Sequence, residues 1–355
     1  MSASSKEIRV KVLFRSDLNG EACLGWNNQC PDNKPEWGPC RFLFDPFERT
    51  YDWLVVVHDL PHSRTPTSRN LRDVYTLSCP TSHTLLVTTE PGTITQYGKH
   101  FVRQFAHVIT TQNEADLPHP HAIRSQTGNV WYYGKTYDEA AAMPPCDKTK
   151  MISTVCSSKR QGHTLHAKRF EFTHRLAQAL PELDIFGHGT RFIDHKFDAL
   201  DPYAFHLIIE NYYAPHHWTE KLADAFLGYT VPFYYGCPNV FDYFPRESVI
   251  PIDIHDFDGS LKVIKQALTY ENYRKRLPAV QEARRLVLDH YNLPALLCRT
   301  ILALDNADSS NAPSLKRLYN RKDMLARNPV DFVSFASWRL RNYFQGLLVN
   351  GGKRE

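Results

Sequence analysis

Segment 205–236, FHLIIENYYAPHHWTEKLADAFLGYTVPFYYG, concentrates polar chemistry in a short span. An apolar run stops at Glu210-Asn211, a loop runs through Trp218, and Thr219 stands where an N-cap would open the next helix. Backbone N–H groups and the positive dipole end of such a start favour an anion, and Lys221 adds a full charge, so a diphosphate fits there. Glu220 can accept hydrogen bonds from ribose or sugar hydroxyls. An acidic residue in a first turn is also plain capping, so Thr219-Glu220-Lys221 alone reads both ways.

These residues need strands and helices to hold them. IRVKVLF (8–14), YDWLVVV (51–57), Leu85–Thr89 and HVITT (107–111) read as strands, being short, apolar and bounded by turn residues. Asn19–Pro39, rich in Gly, Asn and Pro, reads as a long loop, and 113–145 as loop-like. A second series begins at Met151. It contains strands at 151–156, LDIF (183–186), Tyr203–Ile209, VPFYY (231–235) and 249–254, with helices at 164–180 and about 219–227. Strands alternating with helices imply parallel sheets whose ligands gather at strand C-terminal ends. The expected organisation is α/β, with domains at 1–148 and 149–310 and a helical tail at 311–355. Along that tail Phe332, Ala336, Leu340, Tyr343 and Leu347 share one face.

Composition narrows the class. The 355 residues amount to about two domains at ~150 residues each. With 42% hydrophobic and 23% charged residues, a large core is available. A net charge of +4 is too small and dispersed for a nucleic-acid path. No signal peptide or run of ~18 apolar residues is visible. Eight irregularly spaced cysteines without a CxxC pair read as scattered thiols of a cytoplasmic protein. Histidines at 119, 121, 216 and 217 lack the spacing of a closed metal site, and no DxD-type motif supports a metal.

Taken together, FHLIIEN, YYAPHHWT, EKL and VPFYYG resemble, in order and spacing, the signature of the family 10 glycosyltransferases, whose best-known members are α-1,3-fucosyltransferases. The similarity extends to VIPIDIHDF downstream and to STVCSSKRQGHTLHAKRFEFTHRLAQALPELDIFGHG upstream, covering roughly 150–260. The resemblance implies two facing Rossmann-like domains of the glycosyltransferase B type. The first would bind a glycan acceptor; the second would bind a GDP-sugar, GDP-L-fucose above all. Position by position it places Arg169 and Lys221 at the diphosphate, and Glu210, Asn211, His217, Thr219 and Glu220 around the donor. Glu90, where LLVTT meets the turn EPG, would be the general base, with no obligatory metal or other cofactor. His217 stands where the family often has Tyr, which keeps a pentose donor such as GDP-arabinose open. A non-catalytic glycan- or nucleotide-binding relative is the alternative. For the tail, packing of the apolar stripe on the protein is expected, with peripheral contact at an anionic membrane through Arg339, Arg341, Lys353 and Arg354 as the other outcome.

Overall fold

The computed structural model describes residues 6–15, 22–61, 75–128, 130–156, 165–187, 189–305 and 316–351. Seven strands form the first sheet: Ile8–Phe14 (β1), Glu36–Trp37 (β2), Cys40–Leu43 (β3), Trp53–Val57 (β4), Thr84–Val87 (β5), His107–Thr110 (β6) and Ala122–Arg124 (β7). Their order is β2-β3-β1-β4-β5-β6-β7, parallel except for the β2–β3 pair. A central parallel strand is covered on both faces, hence the unbroken WLVVV of β4. Leu54 and Val56 enter one apolar layer with Leu13, Leu86 and Phe101, while Val55 and Val57 enter the other with Val10, Trp26 and Leu297.

The second sheet is wholly parallel: Lys150–Val155 (β8), Leu183–Phe186 (β9), Tyr203–Ile209 (β10), Val231–Tyr235 (β11) and Ile250–Pro251 (β12), in the order β12-β11-β10-β8-β9. The chain steps from β8 to one side and then returns to its other side with β10. That makes the C-terminal end of β8 the switch point where open α/β sheets bind ligands. At Gly187, with φ +125°, an added Cβ would lie 2.6 Å from the Cys156 carbonyl oxygen, so only glycine lets the end of β9 pass so close to β8.

Several elements differ from the sequence reading. The 19–39 stretch holds the helix Ala22–Asn27 and β2, and the 113–145 stretch holds β7 and the helix Tyr137–Ala142. Burial of Trp26 against Phe42 orders the former, with ring centroids 4.9 Å apart. A capping box between Thr136 and Glu139 starts the latter. Within the helix expected at 164–180, His166–Ala179 is observed, and Ser157 to Thr164 lie outside the described residues.

Contacts divide the chain into two units, Met1–Gly128 with Leu293–Arg341, and Asn129–Asn292 with Asn342–Glu355. The sequence reading divides it instead at 148/149 and sets the tail apart from 311. The chain returns to the first unit because helix Leu293–Asp305 buries Leu293, Leu297 and Ile301 against that unit's sheet. The tail helix Pro329–Gly351 docks through polar side chains. Asp331 accepts the backbone N–H of His100 at 3.0 Å, Ser334 Oγ accepts from Gln96 at 2.8 Å, and Trp338 Nε1 donates to the Gly92 carbonyl at 2.8 Å. Phe332, Val333, Leu340, Tyr343 and Phe344 face outward, Tyr343 at 63% exposure. The expectation that packing would bury the apolar stripe is thus overturned for these residues, because the opposite face carries the docking hydrogen bonds.

Candidate active site

Within the second unit, β10 ends at Ile209 and delivers Glu210 to the start of helix Glu220–Leu227. Glu210 is completely buried and therefore needs partners. It accepts the Thr219 backbone N–H at 2.9 Å and the Thr219 hydroxyl at 2.8 Å, and Lys221 Nζ stands 3.3 Å away. The same hydroxyl caps the helix, accepting the Lys221 N–H, and takes a second bond from Lys221 Nζ at 3.0 Å. Lys221 also pairs with Glu220 at 3.0 Å. Glu210 and Thr219 thereby occupy backbone donors that the sequence reading offered to an anion, which leaves anion binding chiefly to side-chain charge.

Beneath Glu210 lies Gly236, the glycine of VPFYYG. A Cβ there would come 2.8 Å from Glu210 Cβ and 2.7 Å from the Tyr234 hydroxyl, and would also meet Glu210 Cγ. The spacing from EN through TEK to the glycine is therefore the imprint of one packed unit.

A cavity of about 180 Å³ opens beside the end of β8, lined among others by Thr154, Val155, Arg169, Lys196, Glu220 and Lys221. It is smaller than the roughly 300 Å³ lower bound for a drug-sized ligand, so it suits a compact charged group rather than a whole ligand of that size. Arg169 reaches it from helix His166–Ala179. Burial opposes the Glu220 charge, but Lys221 and Lys196 hold its carboxyl down to about 2. Burial likewise opposes the charge on Lys221, which Glu210 and Glu220 more than offset, keeping the ammonium protonated; Arg169 nearby acts in the opposite sense.

Three titratable lining residues, Asp224, Lys196 and His206, were missed by the sequence reading. Asp224, nearly inaccessible, takes Lys196 Nζ at 2.6 Å and the Tyr132 N–H at 2.9 Å. Burial pushes it up to about 6 although Lys196 pulls the other way. His206, in the middle of β10, is bonded to Ser153 at 2.7 Å and is held neutral by burial, its pKa down to about 3. An acidic residue inside LADAFL and a histidine inside FHLII were available signals, since buried polar residues in apolar runs need a partner. Lys196 opens the short 3-10 helix Lys196–Ala199 and carried none.

Arg169, Glu220 and Lys221 are brought together at the cavity, with Glu210 and Thr219 forming the support behind them. Asn211 and His217 pair with each other, Nε2 to Oδ1 at 3.2 Å, and do not line the cavity. Burial lowers the His217 pKa, so its ring is neutral and positions the loop. Glu90 belongs to the first unit, half-buried past the end of β5, where its carbonyl accepts Gln112 Nε2 at 2.8 Å.

Residues 145–276 match the glycosyltransferase family 10 (fucosyltransferase) C-terminal family. Over 81 residues the chain is 35% identical to the alpha-(1,3)-fucosyltransferase FucT of Helicobacter pylori, a match spanning 22% of this chain and 17% of that relative. A crystal structure of an alpha1,3-fucosyltransferase superimposes with a TM-score of 0.52 at 17% identity, covering 87% of this chain and 93% of that one. A structure of an alpha1,3-fucosyltransferase with GDP gives 0.51 at 17% identity, covering 88% and 94%. The fold is therefore of the glycosyltransferase B type, as the motifs implied.

Proposed function

We propose, from the membership of residues 145–276 in glycosyltransferase family 10, that the chain is an inverting glycosyltransferase that moves L-fucose from GDP-L-fucose to a glycan hydroxyl. The observation that carries this reading is the cavity at the β8 switch point, where Arg169, Lys196 and Lys221 present three cations to lining carboxylates Glu220 and Asp224. Lys221 is held by Glu210 and Glu220, and Lys196 by Asp224, so an entering diphosphate would share these cations with the carboxylates, and their positive charge would stabilise the charge that grows on departing GDP. The acceptor oxygen attacks the anomeric carbon, the bond to the diphosphate breaks, and the hydroxyl proton passes to the Glu90 carboxylate. Attack opposite the leaving group converts a β-linked donor into an α-linked product. Another GDP-sugar such as GDP-arabinose is the competing donor, decided by direct comparison of the two.

The seven described cysteines form no disulfide, which fits a reducing, cytoplasmic setting. Among the described residues no helix is long and apolar enough to cross a membrane. The outward apolar face of the tail helix, flanked by Arg339 and Arg341, is the surface for peripheral contact with anionic lipid.

Two variants separate the halves of the mechanism. Glu90→Gln should keep GDP affinity within about twofold while turnover falls by roughly 10²–10⁴-fold, the worth of a positioned base. Arg169→Ala should weaken use of the GDP-sugar by about 2–4 kcal/mol in kcat/KM. Normal turnover in Glu90→Gln would remove the base, and normal donor use in Arg169→Ala would remove the diphosphate site.

A further inference from the structure

The C-terminal ends of β4 and β5 carry a polar cluster that the chemistry above leaves unused. His58, the first residue past β4, has φ 71°, a left-handed conformation uncommon outside glycine. Its backbone N–H donates to the Val87 carbonyl at 2.8 Å, which ties it to β5. Ring Nδ1 lies 2.8 Å from Thr89 Oγ1 and 3.0 Å from the Tyr97 hydroxyl. That hydroxyl also accepts the Thr89 N–H at 3.0 Å, so the Tyr97 proton is directed at His58. The Arg321 guanidinium covers the Tyr97 ring at 4.9 Å, and the Arg321 backbone N–H donates to Asp59 Oδ1 at 3.0 Å.

With Nδ1 accepting, the ring proton sits on Nε2. Nε2 makes no hydrogen bond to any described residue, and the ring is only partly buried. Burial, with Arg321 and Arg15, pushes its pKa down to about 4, so it is a neutral donor. Thr89, which grips the ring, immediately precedes Glu90. Ligands of parallel sheets bind beyond these strand ends.

We infer that His58 is an acceptor-binding residue whose Nε2–H donates to a hydroxyl or ring oxygen of the saccharide on which Glu90 acts. The inference rests on the reading of Glu90 and of the chain as a glycosyltransferase. A left-handed backbone at the strand end is what aims the ring while its other nitrogen is held.

Asparagine tolerates that backbone and can place its amide where Nδ1 now sits, yet it has no atom at the Nε2 position. Glutamine reaches the Nε2 position instead. Using the best acceptor from a panel of β-galactosides and N-acetylglucosaminides, His58→Asn should raise acceptor KM about tenfold, the worth of one hydrogen bond. Donor KM, GDP affinity and melting temperature should be retained, and His58→Gln should restore most of the acceptor KM. An unchanged acceptor KM in a stable His58→Asn protein, an equal rise in donor and acceptor KM, or a collapsed melting temperature would each overturn the inference. If wild-type protein transfers sugar and His58→Asn is indistinguishable from it, the inference falls alone. If wild type transfers no sugar to any acceptor, the underlying reading falls and takes this one with it.

Discussion

Gly236 and Lys221 show how single residues set the donor site. Gly236 leaves room for the Glu210 stem, and Lys221 neutralises a carboxylate that has no access to water. Gly236→Ala should therefore displace Glu210 and the Thr219 cap, costing about 1–3 kcal/mol in urea unfolding and weakening GDP binding together. Full stability with intact GDP binding would show that the turn absorbs the methyl. This part of the site was legible in the sequence because Glu210, Thr219, Lys221 and Gly236 lie on consecutive elements, so their spacing survives as a linear motif. The pairing of Lys196 with Asp224 was not legible: it depends on a short 3-10 turn meeting a helix, and no one-dimensional pattern records it. The sequence also suggested more for the helix start than it supplies, since Glu210 occupies the Thr219 N–H.

At the scale of elements, β10 illustrates a strand whose polar residue has a pH cost. His206 ionises in the unfolded chain near 6.5 but in the fold only near 3. The unfolded state therefore binds the proton first as pH falls, and stability present above pH 6.5 is lost progressively toward pH 3. The slope is about 1.4 kcal/mol per pH unit, so between pH 7 and pH 5 the wild type should lose about 2 kcal/mol more than His206→Gln. Equal losses measured by urea unfolding would mean that the imidazole is charged in the fold. The tail helix makes a different point. Its period was readable in the sequence, but which face docks was not, because three hydrogen bonds from Asp331, Ser334 and Trp338 outweigh the preference of the apolar stripe for cover. Truncation after Asn328 should lower the melting temperature by only about 2–4 °C for each kcal/mol of docking lost, and abolish sedimentation with anionic vesicles. A truncated protein that still sediments would place the lipid contact elsewhere.

For the whole molecule, the decisive physical fact is the chain's return. Helix Leu293–Asp305 covers the first sheet, so a unit that begins at the N-terminus is finished by residues near the other end. Sequence periodicity identified two α/β series and their parallel character, since a short, continuous apolar run such as WLVVV suits a strand covered on both faces. It could not identify the return, which depends on which apolar helix face fits which sheet. The fold agrees with a solved alpha1,3-fucosyltransferase, and residues 145–276 match the C-terminal model of glycosyltransferase family 10. The central claim, inverting transfer from a GDP-sugar, is tested most directly by the product. Incubation with GDP-β-L-fucose and the acceptor panel, followed by NMR of the anomeric proton, should give an α-linked fucoside with one GDP released per linkage formed. A β-linked product, or no GDP release above spontaneous hydrolysis with any acceptor, would contradict the account.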